Sequence, residues 1–227
     1  GTHTIEITGG GEPLMRKDLM KIMKEIKRRN MFGRLITNGT LFTEKMIKEL
    51  VKIEWDEIVF SLDAPVKDVN DFLRGKSFDR IVWAIRKLQS KKIEENSEVP
   101  LVHIHMVLCN KNYHLLPQMF EFAYSLGCRN LLVEPMVLLA KKTGAGKELL
   151  FTSKHKKPLL RYIEKAVEIA RKYNFQTNID KLSLELIKST AKMRKVIKEE
   201  GKRKSDKWLS LPCYQPVSYT HLTLPTN

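Results

Sequence analysis

The feature that most restricts this chain is a strand that runs straight into three glycines, a glutamate and a proline. Over residues 2–8, His3, Ile5 and Ile7 alternate with Thr4, Glu6 and Thr8, the two-residue period of a strand. Gly9-Gly10-Gly11-Glu12-Pro13 follows, and the pattern then switches to helical spacing at Leu19, Ile22, Met23 and Ile26. The strand therefore ends in a loop whose backbone carries no side chains to hold a ligand off. Pro13 has no N–H and fixes its own turn, and Glu12 sets one carboxylate at the mouth of that turn. Backbone carbonyls and a carboxylate suit a ligand that carries an ammonium group. A phosphate calls for N–H donors and usually a lysine, and no Gly-Lys-Ser/Thr follows.

Strand and helix then keep alternating. A helix is expected from about Arg16 to Asn30, and Gly33 to Gly39 reads as a short strand ending in a turn. Thr43 is placed to N-cap a helix running to Ile53. Glu57 to Leu62 is a strand, a loop passes through Pro65, and a helix runs from Ser77 to Lys91. Leu101 to Leu108 is the next strand, and Asn112 is placed to cap a helix from His114 to Leu126 that Gly127 stops. Asn130 to Glu134 is a strand, Lys141 to Lys147 a basic loop, and Lys156 to Tyr173 a long helix. Phe175 to Ile179 reads as one more strand before a basic helix ending near Lys198. Such alternation demands parallel strands and right-handed crossovers, in a barrel or an open doubly wound sheet. In either, ligands lie at the carboxyl ends of the strands.

Those ends carry the candidate residues. The second strand closes in Thr37-Asn38-Gly39, where Asn38 offers an amide and Gly39 permits a positive φ. The third closes in Ser61-Leu62-Asp63, a hydroxyl and a carboxylate two residues apart, suited to a ribose diol or an amino acid. The fourth carries His103 and His105 on one face, which read as polar lining more readily than as a metal pair because no third ligand is near. Asn110 or Asn112 stands at its end.

Thr8-Gly9-Gly10-Gly11-Glu12-Pro13, Thr37-Asn38-Gly39 and Ser61-Leu62-Asp63 resemble the motifs that close successive strands in radical S-adenosylmethionine (radical SAM) enzymes. Asp71-Phe72-Leu73-Arg74-Gly75 looks like the segment that follows the third of these. The resemblance covers about residues 2 to 135 with motifs and implies a partial (β/α)6 barrel. It also implies S-adenosylmethionine bound by Gly10, Gly11, Glu12 and Pro13 at its amino group, with Asn38 as a supporting contact. Ser61 and Asp63 would take the ribose and carboxylate ends, and Asn112 would add a polar contact. A [4Fe–4S] cluster and an external electron donor such as a flavodoxin or ferredoxin belong to the same reading. The reaction implied is cleavage of the cofactor to a 5′-deoxyadenosyl radical that abstracts a hydrogen from a peptide, a protein or a small molecule.

The chain departs from the family in one place. The Cys-x3-Cys-x2-Cys loop that holds the cluster is missing, since Cys109, Cys128 and Cys213 are widely separated. Because Gly1 stands inside a strand, the expectation is an internal fragment that begins after that loop and is inactive alone. Residues 1–180 form the barrel from its second strand onward, and 181–215 a basic helix and the start of a C-terminal extension. Leu211-Pro212-Cys213-Tyr214-Gln215 resembles the opening of an auxiliary iron–sulfur (SPASM/twitch-type) module, with Cys213 as a cluster ligand. Pro216 to Asn227 lacks the Lys and Glu of the preceding stretch and resembles the translated read-through of a sequencing adapter.

Composition bounds the alternatives. At 227 residues and 42% hydrophobic, the chain can bury one real core. No apolar run reaches the length of a membrane span, and an odd, scattered set of cysteines points to a reducing cytoplasm. The formal charge of +15 opens a second reading, a basic α/β domain that binds nucleic acid without catalysis through Lys141 to Lys147 and Lys188 to Lys207. A third reading is a metal-independent barrel enzyme working through Glu12 and Asp63.

Overall fold

The computed structural model describes residues 1–136, 147–182 and 221–223. Its strands are β1 (Thr4–Thr8), β2 (Phe32–Thr37), β3 (Glu57–Ser61), β4 (Leu101–Leu108), β5 (Asn130–Pro135), β6 (Gln176–Thr177) and β7 (His221–Thr223). The helices are α1 (Leu19–Arg28), α2 (Glu44–Lys52), α3 (Lys67–Arg74), α4 (Phe78–Glu94), α5 (Leu116–Ser125) and α6 (Lys156–Lys172). All strand pairs are parallel, in the order β6-β5-β4-β3-β2-β1-β7. From β1 to β6 each strand lies beside its predecessor, so right-handed crossovers put every intervening helix on the same face. The result is a partial, open (β/α) barrel, the one of the two architectures left open by the alternation that the radical SAM resemblance implies.

Burial follows the strand period. Ile7, Leu35, Ile58, Phe60, Ile104, Met106, Leu131 and Val133 join the helices in one buried cluster. Leu19, Met23 and Ile26 of α1 enter it at spacings of four and three, one stripe of an amphipathic helix. The intervening strand residues, Glu6, Arg34, Glu57, Val59, Ser61, His103, His105 and Glu134, share the opposite, inner face by register. Thr43 caps α2, its side chain accepting from the Met46 N–H.

Trp55 fixes how closely β2 and β3 pack. It is fully buried and its indole N–H donates to the Glu57 carbonyl at 2.9 Å. Its ring lies where a side chain on Gly33 would go, so a Cβ there would fall on ring atoms. Gly33→Ala is therefore expected to destabilise the fold by ~1–3 kcal/mol, the usual cost of overpacking. Urea titration of both proteins tests this, and equal midpoints would show that the ring shifts freely.

Three details differ from the pattern. The stretch after Pro65 contains α3, whose only buried residue is Asn70; Val69, Phe72 and Leu73 recur at helical spacing, but none of them enters the core. Side chains hold it instead: Asn70 Oδ1 accepts from the Asp63 N–H and its amide donates to Ser77 Oγ, while Asp71 Oδ1 accepts from the N–H groups of Ser77 and Phe78. The expected cap at Asn112 does not form, because its side chain turns back to the end of β4. Strand β6 is shorter than expected, two residues. The basic loop at Lys141–Lys147, apart from Lys147, and the basic run Lys188–Lys207 lie outside the described residues.

Candidate functional site

The loops after β1, β2, β3 and β4 meet at the carboxyl rim of the sheet. Gly9, Gly10 and Gly11 are exposed, and a Cβ on Gly10 would meet nothing within 4 Å. None of the three has a positive φ, so what glycine provides there is open backbone rather than a special turn. Pro13, buried, opens a 3-10 turn that runs to Met15. Glu12 ties this loop to the next strand. Its Oε1 accepts from the Leu14 N–H at 3.0 Å and from Thr37 Oγ1 at 2.6 Å, and its Oε2 accepts from the Asn38 N–H at 2.7 Å. Thr37 Oγ1 accepts in turn from the Gly39 N–H at 3.0 Å, and Gly39 takes a positive φ of 70°, which glycine permits. Asn38 Oδ1 holds the Thr40 N–H and hydroxyl. Glu12 and Asn38 are thus brought together, with the carboxylate acting as a brace between two rim loops.

A second brace joins β3 to β4. Asp63 is 6% exposed. Its Oδ1 accepts from the Val107 N–H at 2.7 Å and from Arg74 Nη2 at 3.1 Å, and its Oδ2 lies 2.6 Å from Arg74 Nε. That last contact is out of line for a hydrogen bond, and Arg74 Nε, though buried, has no hydrogen-bond partner. Asn112 is fully buried and fully used: its Nδ2 donates to the carbonyls of Asp63 and Val107, both at 2.8 Å, and its Oδ1 accepts from the Cys109 N–H at 2.8 Å. It has no free group for a ligand. Asn110 does: its amide donates to the carbonyls of Glu148 and Leu150, while its buried Oδ1 has no partner. Ser61 is half-buried on the inner face beside His105.

These residues fit S-adenosylmethionine. Exposed glycine backbone suits an ammonium group, the Arg74 guanidinium a carboxylate, and the unpartnered Asn110 Oδ1 a hydroxyl. Arg74 and Asn110 carry the open valences, and neither shows them in sequence: the arginine sits in an unrecognised helix, and the asparagine competes with its neighbour Asn112. The third reading loses ground, since the carboxylates of Glu12 and Asp63 are both engaged. A [4Fe–4S] cluster does not fit the described residues. No His, Cys, Asp or Glu group among them is arranged to hold a metal, and Cys109 and Cys128 are buried and free. Burial pushes the Cys128 thiol up to about 12, which suits an inert core residue. Cys213 lies outside the described residues.

Toward the amino ends of the strands the inner face is closed by charge. Arg34 bonds Glu57 and reaches Glu6 at 3.3 Å, and Glu57 also holds His103 Nδ1. One chain of polar groups, Glu6–Arg34–Glu57–His103, so links four strands. Burial pushes the Glu57 carboxyl up, but the hydrogen bonds from His103 and Arg34 outweigh it and hold it below its ordinary 4.5. A lowered folded value stabilises the fold at pH above the ordinary value, and that contribution is lost as pH falls through the lowered one. Stability is therefore expected to drop below pH 4.5, and Glu57→Gln to remove part of that drop. Urea midpoints at neutral and acid pH test this; an equally steep loss in the variant would sink it. A groove of about 760 Å³ between the ends of α2 and α4, lined by Lys48, Lys52, Lys91 and Glu95, lies at this same lower end of the sheet, away from the rim.

The relatives agree with the geometry. Residues 2–123 match the family model described as the Radical SAM superfamily. The chain is 29% identical over 136 residues to the tungsten-containing aldehyde ferredoxin oxidoreductase cofactor-modifying protein of Pyrococcus furiosus, covering 58% of this chain and 37% of that one. It is 31% identical over 119 residues to the PqqA peptide cyclase of Granulibacter bethesdensis, covering 52% of this chain and 30% of that one. The chain thus spans about a third of the length of these curated relatives. Among solved structures, Streptococcus suis SuiB bound to S-adenosylmethionine superposes with a TM-score of 0.61 at 17% identity, over 77% of this chain and 39% of that one. Native anSMEcpe with bound AdoMet and the Kp18Cys peptide gives 0.60 at 16% identity, over 77% and 49%. With its strand-end motifs, its sheet and more than half of its length matched, this chain belongs to the radical SAM superfamily.

Proposed function

We propose that this chain is the cofactor-binding part of a radical SAM enzyme, and that the enzyme acts on a peptide or protein. The observation that carries the first half is the Glu12 brace. It locks the open glycine loop of β1 against Thr37 and Asn38 of β2, at the rim where β3 also ends in Ser61. In this reading the glycine backbone takes the ammonium group of S-adenosylmethionine, Arg74 its carboxylate, and Ser61 and Asn110 its ribose hydroxyls. Asp63 touches Arg74 rather than the ligand and sets its direction. Given an electron from a reduced cluster elsewhere in the whole protein, the bound cofactor would supply a carbon radical able to take a hydrogen atom from a substrate, while the protein would orient it and exclude water. The cluster and the external electron donor belong to the proposal for the whole protein.

Peptide substrates are supported by the names of similar proteins, a PqqA peptide cyclase and SuiB bound to precursor peptide SuiA. Isothermal titration of the chain with S-adenosylmethionine tests the binding half. Saturable binding is expected, and Arg74→Met is expected to weaken it by ~10-fold or more, the loss of one charge-assisted contact. An affinity unchanged by Arg74→Met would remove the arginine from the site. Absence of binding, together with no 5′-deoxyadenosine from an anaerobically reconstituted longer frame, would end the proposal.

A further inference from the structure

The inner face below the rim carries charge that the cofactor does not use. By register it presents Glu6, Glu57 and Glu134 against Arg34 alone, with His103 and His105 between them. With both histidines neutral that face is negative by two, in a chain whose formal charge is +15. Arg34 and His103 already occupy Glu57, and Arg34 reaches Glu6. Glu134 differs. Among the described residues its only partner is His105, whose Nε2 lies 3.2 Å from Oε2 yet makes no hydrogen bond, although the nitrogen is buried. The Glu134 side chain is 57% exposed. It stands in register with Val107, the residue whose N–H binds Asp63, so it is one strand away from the Asp63–Arg74 brace.

We propose that Glu134 is the specificity-determining residue of the inner face and that it takes a cationic side chain, of lysine or arginine type, from a peptide substrate. This rests on the peptide reading above. His105 acts as a positioning residue: when a cation draws the carboxylate into place, the imidazole completes the hydrogen bond that the unliganded face leaves unmade. The two groups then hold one end of the substrate while the rim holds the cofactor on the neighbouring strands.

The test uses the 227-residue chain labelled with 15N in its histidine rings, the His105 signal being assigned by its loss in His105→Gln. The probes are Nα-acetyl-lysine amide, Nα-acetyl-arginine amide, Nα-acetyl-glutamate amide and Nα-acetylnorleucine amide. The lysine and arginine probes are expected to shift the His105 signal saturably, and the glutamate and norleucine probes are not. Glu134→Gln is expected to weaken the lysine probe by ~10-fold or more, since it removes the charged partner, with Glu134→Asp recovering part of the loss. His105→Gln, followed by calorimetry with the lysine probe, is expected to cost a smaller factor. Melting curves of the variants guard against a folding defect. A response to the glutamate probe equal to that of lysine, a Glu134→Gln protein that binds lysine like the parent, or no response to any probe would each overturn the proposal. S-adenosylmethionine affinity, measured on the same samples, separates the two readings. Lost cofactor binding with a lysine response kept sinks the radical SAM site alone, and the reverse sinks the Glu134 assignment alone.

Discussion

Replacing Asp63 with alanine is expected to destabilise the fold by ~3–5 kcal/mol, the usual consequence of stranding one partner of a buried ion pair. The carboxylate does two things at once: it pairs with Arg74 and accepts the Val107 N–H. Removing it leaves a guanidinium that is 24% exposed without its counter-charge and a strand-end N–H without an acceptor. Over a chain of this size that loss corresponds to a fall in Tm of roughly 10 °C. Asp63→Asn, which keeps an acceptor for Val107 but not the charge, is expected to fall between the two. Differential scanning calorimetry checks both, and an alanine variant melting within a degree or two of the parent would show that the brace is ornamental. A second consequence is functional: Arg74, no longer aimed, should bind S-adenosylmethionine more weakly even in Asp63→Asn at temperatures where the protein is folded.

The other large effect is expected at Glu12. Glu12→Ala removes an acceptor shared by Leu14, Thr37 and Asn38. Losing this charged acceptor should loosen the glycine loop from β2, with water taking the carboxylate's place at the exposed loop. Cofactor affinity is then expected to fall by ~100-fold, two decades being about 2.8 kcal/mol. Because the loop lies on the surface, Tm should change far less than in the Asp63 variant. Titration calorimetry with S-adenosylmethionine, run beside thermal melting, reads both quantities. Unchanged affinity would detach Glu12 from the site. A collapse of Tm matching that of Asp63→Ala would mean that the residue serves the fold as a whole.

Much of this was legible in the sequence, and the exceptions have physical causes. Strand β4 shows its full length because apolar Val102, Ile104, Met106 and Leu108 alternate with His103 and His105, and only one face is in the core. The rim was legible because strand ends of a parallel sheet must collect at one side. Helix α3 went unread although Val69, Phe72 and Leu73 recur at helical spacing, because that face is little more than one turn long and stays outside the core, and polar side chains hold the helix. Nor does a sequence show which partner an acid has already taken. Asp63 reads as a ligand group by type, and the structure spends it on Arg74 and Val107. Asn112 reads the same way and is consumed by three backbone groups. The pairing of Gly33 with the Trp55 ring, twenty-two positions apart, is set by the packing of β2 on β3, which no local pattern encodes.

The nearest-neighbour order of the sheet bears on how the chain comes off the ribosome. From β1 to β6 every new strand finds its partner in the strand made just before it, so zippering keeps pace with synthesis and closes only short loops.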